Sequence, residues 1–395
     1  MKTEREVVIV SGMRTAIGTY GGSLKDVPAV ELAGKCVAAA IERAAIEPER
    51  VEHSFFGNVV HSEARDAYMS RCAAILGGVP ETSPALTVNR LCGSGLQAIV
   101  SASQCILLGE LDCAVAGGAE SMSRAPYTLP GMRWGQRLGD GVAQDSVTAA
   151  LQDPFGNGHM GCTAENLAEQ YGITREEQDA LAVESHQRAA RAWDEDRFAG
   201  QIVPIELKTR KGVQVFERDE HFRADASLEG MAKLRPAFKK DGSVTAGNAS
   251  GINDAAAAVV LMERSAAEKA GVRPLARLIG YTYAGVDPAY MGIGPVPAVR
   301  SLMKKTGLSI EEMDVIELNE AFAAQALAVI RELNPPMDRT NPNGSGISLG
   351  HPVGATGAII TIKAVHELHR TGGRYALITM CIGGGQGNAA IIERI

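Results

Sequence analysis

The sequence predicts an α/β protein built from two like halves, and three observations carry the prediction. Strand-like apolar runs alternate with helical patterns at both ends, a glycine-rich helix start recurs in each half, and a loop-rich stretch interrupts the middle. Strands separated by helices point to a largely parallel sheet. In the first half Val7 to Val10 reads as strand and Ala29 to Ala45 as helix, with apolar residues at helical spacing. Ser54 to Val60 is strand-like and Asp66 to Leu76 helix-like. Ala85 to Val88, a helix at Cys92 and the strand-like Ala114 to Gly118 complete the series.

The last third repeats this order. Ala276 to Tyr281 is strand-like, Ala298 to Thr306 helical and Asp314 to Leu318 strand-like. Gly354-Ala355-Thr356-Gly357-Ala358-Ile359 reads onto Cys92-Gly93-Ser94-Gly95-Leu96-Gln97, and Tyr375 to Gly384 mirrors the strand ending in Gly117-Gly118. Packing two such halves together brings their helix N-termini to one interface. The middle breaks the pattern: 131–135, 153–158 and 208–211 read as loops. Arg175 to Phe198 reads as a helix opened by a capping box of Thr174 with Glu177. The expected boundaries are 1–120 plus 246–272 for the first half, 121–245 for an inserted loop domain and 273–395 for the second half.

At 395 residues, 45% hydrophobic and 22% charged, the chain can bury a sizeable core. A net charge of −7 argues against a general nucleic-acid binder. The start, Met1 to Glu6, lacks the apolar region of a secretory signal. No apolar run is read as approaching bilayer length; the longest candidates are Ala255 to Met262 and Ala321 to Ile330. Seven cysteines without CxxC spacing fit neither a disulfide framework nor a zinc site, so a reducing cytoplasm is expected. The middle holds Lys208, Arg210, Lys211, Arg218, Arg223, Lys233, Arg235, Lys239 and Lys240. They read either as a solvated surface or as a local site for an anionic ligand.

Four segments carry chemistry. Cys92 sits where an apolar run meets a helix start, and a helix N-terminus favours thiolate over thiol. Taken alone it is equally a buried structural cysteine. Glu317-Leu318-Asn319-Glu320 puts polar side chains at the end of a buried-looking strand, and His351 stands among glycines. Cys381 is followed by the bare backbone of Gly383, Gly384 and Gly385. A histidine can take the proton of a nucleophilic cysteine, and a second cysteine of near-neutral pKa can serve as acid or base toward carbon. Glycine N–H groups can stabilise a developing oxyanion. The set suits acyl transfer with carbon–carbon bond chemistry.

These motifs resemble those of the thiolases, the acetyl-CoA C-acyltransferases, over nearly the whole chain, from Ser11-Gly12-Met13-Arg14-Thr15 through 246–251 to the glycines after Cys381. The chain is most similar to the β-ketothiolases that feed hydroxyalkanoate polymer synthesis. The resemblance implies the thiolase fold, two duplicated mixed-sheet α/β halves in five α-β-α-β-α layers with an inserted loop domain. It implies that Cys92 carries the acyl group, and that His351 activates Cys92 and shares an oxyanion hole with a water held by Asn319. Cys381 would move the α-proton, and the amides of Cys92 and Gly383 would form a second oxyanion hole. Leu151, His159, Met160, Arg223, Phe238, Ala246, Ser250 and Phe322 would line the coenzyme A site, and Met291 the acyl pocket. One departure is Gly230, where some relatives have a coenzyme-contacting serine. Coenzyme A would be substrate and product, with no metal or redox cofactor, no nucleic-acid or membrane partner, and a homotetramer as the assembly.

Two rivals are weighed. A β-ketoacyl synthase would place a second His or Asn where this chain has Cys381, and a non-catalytic lipid carrier would be expected to lose one of Cys92, His351 and Cys381. His366 and His369, three apart, read as a solvated helix face rather than a metal site.

Overall fold

The structure is a computed structural model that describes residues 5–210 and 212–395, so the readings on Met1–Glu4 and on Lys211 lie outside the described residues. The first half contributes strands β1 (Val7–Thr15), β2 (His53–Gly57), β3 (Ala85–Val88), β4 (Cys113–Ser121) and β5 (Asn253–Glu263). Its helices are α1 (Ala29–Ala44), α2 (Met69–Leu76) and α3 (Ser94–Leu108). The second half contributes β6 (Ala276–Gly285), β7 (Val315–Leu318), β8 (Tyr375–Ile382) and β9 (Gln386–Arg394), with α4 (Pro295–Thr306), α5 (Ala323–Leu333) and α6 (Thr356–Thr371).

The strands run β7-β8-β9-β6-β1-β5-β4-β2-β3. In the sheet the halves pair through one short ladder, Val8 against Arg277 and Ile9 against Ala276. Within each half the strand order is the same: β1-β5-β4-β2-β3 is matched by β6-β9-β8-β7, and a parallel bridge from Ile316 to Thr340 stands where β3 would pair. The sheet is mixed rather than largely parallel. β2 runs parallel to β3 and β4, and β7 to β8, but β1, β5 and β4 pair antiparallel, as do β6, β9 and β8. Apolar runs show burial on both faces, and that does not reveal strand sense.

Period-two alternation sorts the strand residues into layers. Ile9 and Phe55 face a central core shared with α3 and α6, while Val8 and Phe56 face an outer core under α1 and α2. In the second half Ile378 faces the centre and Leu377 faces the layer containing α4. On α1 the buried residues Val30, Ala33, Val37, Ala40, Ile41 and Ala44 form one stripe, and the helix stops at Ala45, whose φ of 53° is left-handed. Burying each large apolar side chain contributes about 1.5–3 kcal/mol.

The central layer overturns one expectation. Residues 91–108 form an 18-residue window of mean hydropathy 1.5, long and apolar enough by length and composition to cross a membrane. That stretch contains α3, which lies between two half-sheets and needs apolar residues on both sides. At its start α3 meets α6 closely: a Cβ on Gly357 would lie 2.2 Å from the Leu96 nitrogen, and one on Gly95 2.8 Å from that of Ala358.

Between β4 and β5 a long stretch runs from Met122 to Ile252, returning briefly to the sheet where Ile202 and Val203 pair parallel with Arg14 and Thr15 of β1. This stretch holds helices Met160–Tyr171 and Arg175–Asp194, the second opened by the Thr174/Glu177 capping box. Within the stretch read as a loop, Lys208 and Thr209 prove to end the first strand of a hairpin, Ile205–Thr209 paired with Gly212–Phe216. A buried ion pair ties this region to β1: Arg14 donates to both carboxylate oxygens of Asp219 at 2.8 and 3.1 Å, and Trp193 Nε1 donates to the same group.

Candidate active site

Three loop segments meet where α3 and α6 begin. Leu91, with a left-handed φ of 46°, turns the chain out of the β3 connection and presents Cys92 two residues before α3. Such a conformation costs a non-glycine residue about 1–2 kcal/mol. Ser94 holds the turn, its hydroxyl donating to the Leu91 carbonyl at 2.7 Å and accepting from the Arg90 amide at 2.8 Å.

His351, 5% exposed, precedes α6. Its amide donates to Asn253 Oδ1 at 2.9 Å. Its ring is held by Thr356, with Nδ1 2.7 Å from Oγ1. That hydroxyl donates its own hydrogen to the Pro352 carbonyl at 3.0 Å. It can therefore only accept from the ring, which puts the proton on Nδ1 and the lone pair on Nε2. Nε2 lies 3.4 Å from Asn319 Nδ2, at the end of β7. The sequence motifs do not single out Thr356, although its place at the helix start opposite Ser94 is the available signal.

Cys381 ends up fully buried near the tip of β8, among Met160, Met291, Ala321 and Phe322. Gly383, Gly384 and Gly385 make the turn into β9. Gly384 and Gly385 have φ of 78° and 81°, which glycine adopts without steric cost. Gly383 abuts Leu91 and Met160, where a Cβ would be 3.3 Å from each.

Both expected thiol pKa directions are reversed. Burial pushes Cys92 up to about 11, with the Gly383 and Cys92 amides pulling it down. Burial, then the neighbouring charge of Cys92, pushes Cys381 well above the ordinary thiol range. Desolvation of the half-buried Cys92 outweighs the helix start. Burial lowers His351 to about 4, so its imidazole is neutral near neutral pH and free to act as a base. Both thiols rest protonated, and a base that can take their protons, His351, lines the same cavity as Cys92.

A cavity of about 330 Å³ leads to this point, lined by Cys92 and His351 at one end. Leu151, His159, Met160, Phe238, Ala246, Ser250, Phe322 and Met291 also line it. His159 stacks on Phe238 at 4.8 Å, and Phe322 meets Phe238 edge-on at 6.0 Å. Phe238 also covers Gly161, where a Cβ would sit 2.3 Å from the ring. Cys381, Asn319 and Gly383 stand behind the lining. Arg223 lines a second cavity of about 380 Å³ that shares Ala246 and Ala249 with the first. Beside it are His186, His221 and Ser227, which sequence reasoning missed, and Gly230. Part of the basic cluster is engaged elsewhere: Arg218 stacks on Trp193 and Phe222, Lys233 pairs with Glu229, and Lys239 donates to Asn166. Among the described residues no group of three His, Cys, Asp or Glu side chains is placed to hold a metal ion. All seven cysteines are free.

Fold and cavity are those of an acyltransferase. The chain belongs to the thiolase family: residues 7–265 match the thiolase N-terminal domain and residues 272–394 the thiolase C-terminal domain. It is 61% identical to the beta-ketothiolase BktB of Cupriavidus necator, covering 99% of this chain and 100% of that one. The crystal structure of the Bacillus anthracis acetyl-CoA acetyltransferase superposes with a TM-score of 0.98 at 49% identity, over 100% of both chains. That of human mitochondrial 3-ketoacyl-CoA thiolase in complex with CoA does so with a TM-score of 0.96 at 46% identity, over 99% and 98%.

Proposed function

We propose that this enzyme thiolyses 3-ketoacyl-CoA with coenzyme A and runs the reverse Claisen condensation through an acyl-Cys92 intermediate. The observation that carries the reading is that Cys92 and the neutral imidazole of His351 line one cavity, with the buried thiol of Cys381 behind the lining and near enough to feel the charge of Cys92. In thiolysis Cys92 gives its proton to His351 Nε2 as its sulfur attacks the 3-keto carbon. The C2–C3 bond breaks, its electrons form the acetyl-CoA carbanion, and Cys381 protonates that carbon. The acyl group stays on Cys92 as a thioester until the thiol of coenzyme A takes it. Condensation is the reverse, with Cys381 removing the α-proton of acetyl-CoA. The amides of Cys92 and Gly383, which already face the Cys92 sulfur, are the donors for the thioester oxygen. His351 and a water on Asn319 serve the other oxyanion.

Coenzyme A would lie along the Phe238 wall from Cys92 past Ala246 to Arg223, whose guanidinium has no protein partner among the described residues and suits a phosphate. Acetoacetyl-CoA is the expected substrate, with 3-ketovaleryl-CoA as an extension. A cytoplasmic setting fits seven reduced cysteines. A homotetramer is supported by the arm spanning 127–145, where Trp134 and Leu138 are 93% and 92% exposed. Intact-protein mass spectrometry after mixing with acetoacetyl-CoA tests the chemistry. An acetyl adduct on Cys92 that disappears with coenzyme A is expected. No adduct, with coenzyme A still binding, would favour a carrier. An adduct on another cysteine would overturn the roles of Cys92 and Cys381.

A further inference from the structure

The two halves place corresponding residues at the active site, and the correspondence can be counted from the strand registers. β2 and β4 end their pairing at Gly57 opposite Gly118, and β7 and β8 end theirs at Leu318 opposite Thr379. One residue beyond come Asn58 and Asn319; two residues beyond Gly118 and Thr379 come Glu120 and Cys381. At the helix starts, Cys92 stands two residues before α3 and Gly354 two residues before α6. The contact of Cys381 with the Cys92 loop therefore has an image related by the internal duplication, the contact of Glu120 with Gly354.

We propose that Glu120 is a positioning residue for the reaction, a carboxylate clamp that holds the His351 loop of the second half against the Cys92 loop of the first. Glu120 is fully buried. Its Oε2 accepts from the Gly354 amide at 2.9 Å and the Val59 amide at 3.0 Å. Its Oε1 accepts from the Val60 amide at 3.0 Å and Asn58 Nδ2 at 3.2 Å. Every partner donates, which suits the ionised carboxylate; burial works against this and pushes its pKa up to about 8. The fit leaves no slack: a Cβ on Gly354 would lie 2.6 Å from Oε2, and a Cβ on Gly118 would lie 2.0 Å from the Gly354 carbonyl. Gly354 lies between His351 and Thr356, the residue that sets the ring's tautomer. Letting go of its amide frees both ends of the ring's support. Cys381 and Asn319 do chemistry on one side of the pseudo-twofold, and Glu120 and Asn58 hold the loop in register on the other.

The inference rests on the acyl-Cys92 reading, and its test separates the two. E120Q and G354A, made in the full chain, are compared with wild type in rapid-quench acetylation and steady-state thiolysis of acetoacetyl-CoA. E120Q turns one acceptor into a donor that faces a donor; G354A pushes the loop off the same oxygen. Each is expected to slow Cys92 acetylation and kcat about ten- to a hundredfold while KM for coenzyme A stays within about twofold. The double variant is expected to be no slower than the worse single one, since both break one contact. Wild-type kcat in either soluble variant would overturn the proposal, and so would losses that multiply in the double variant or that fall on KM. Should E120Q not fold, the kcat–KM split in G354A decides. Absence of acetyl-Cys92 in the wild type would instead overturn the functional reading beneath it.

Discussion

The first and second halves share a strand order and differ at the same connection. In the second half β8 turns into β9 through Gly383–Gly385; in the first half the equivalent passage from β4 to β5 runs from Met122 to Ile252. The short connection leaves bare amides beside Cys92, and the long one builds the cavity wall of Leu151, His159, Met160 and Phe238. One scaffold used twice thus supplies reactive backbone from one copy and ligand-binding surface from the other. Duplication explains why the groups meet, and divergence at one connection explains why they do different work.

The comparison can be broken at the reactive end first. Cys381→Ala removes the group that moves a proton on carbon, so condensation and thiolysis are expected to fall about 10²–10⁴-fold. Acetylation of Cys92 by acetyl-CoA should persist, as intact-mass measurement would show; equal loss of both would erase the division of labour between the cysteines. The long connection is tested next. Asp219→Ala leaves Arg14 buried and unpaired, an expected loss of about 3–5 kcal/mol in denaturant unfolding. A change below 1 kcal/mol (on the order of a surface pair) would mean that the inserted region is not anchored there.

A smaller effect sharpens the role of the second half's helix start. Thr356→Val keeps the volume but removes the acceptor of Nδ1–H, so kcat should drop about tenfold with KM little changed. The wild-type acylation rate should fall as pH drops toward about 4, where His351 gains a proton. The Thr356→Val profile should move on that acidic limb, and an unmoved limb would remove Thr356 from the mechanism. The mildest test is acid stability. His186, His221 and His366 are, like His351, lowered to about 4 chiefly by burial. The unfolded chain therefore binds more protons below the free-histidine value of about 6.5, and stability should decline as pH falls from there toward 4. Flat unfolding midpoints across that window would contradict buried neutral rings.

Much of the fold and site is legible in the chain. α1 and α3 can be read because an apolar stripe and a glycine-rich start are local signals, and the Thr174 capping box forms as written. The sense of the strands is not legible, since β1 finds β5 from the far end of the first half. The hairpin formed by Ile205–Thr209 and Gly212–Phe216 reads partly as loop because its strands are largely exposed and only Ile205 and Phe216 are buried. The reactive side chains can be read from their types, whereas Thr356, Asn58 and Glu120 cannot. Threonine at a helix start is ordinary, and nothing local marks Glu120 as buried. The thiol pKa directions fail for the same reason: burial belongs to the assembled site and not to the segment.

The position of β5 has a consequence for how the protein is made. This strand lies between β1 and β4 in the sheet, yet it follows them by the whole inserted region. On a ribosome adding about 5–20 residues each second, β1 and β4 are finished on the order of ten seconds before their shared neighbour emerges. Until then two long, apolar strands stand with unsatisfied edges, the condition under which nascent chains pair with the wrong partner. Synthesis rate through the insertion, rather than final stability, should govern the yield of folded enzyme.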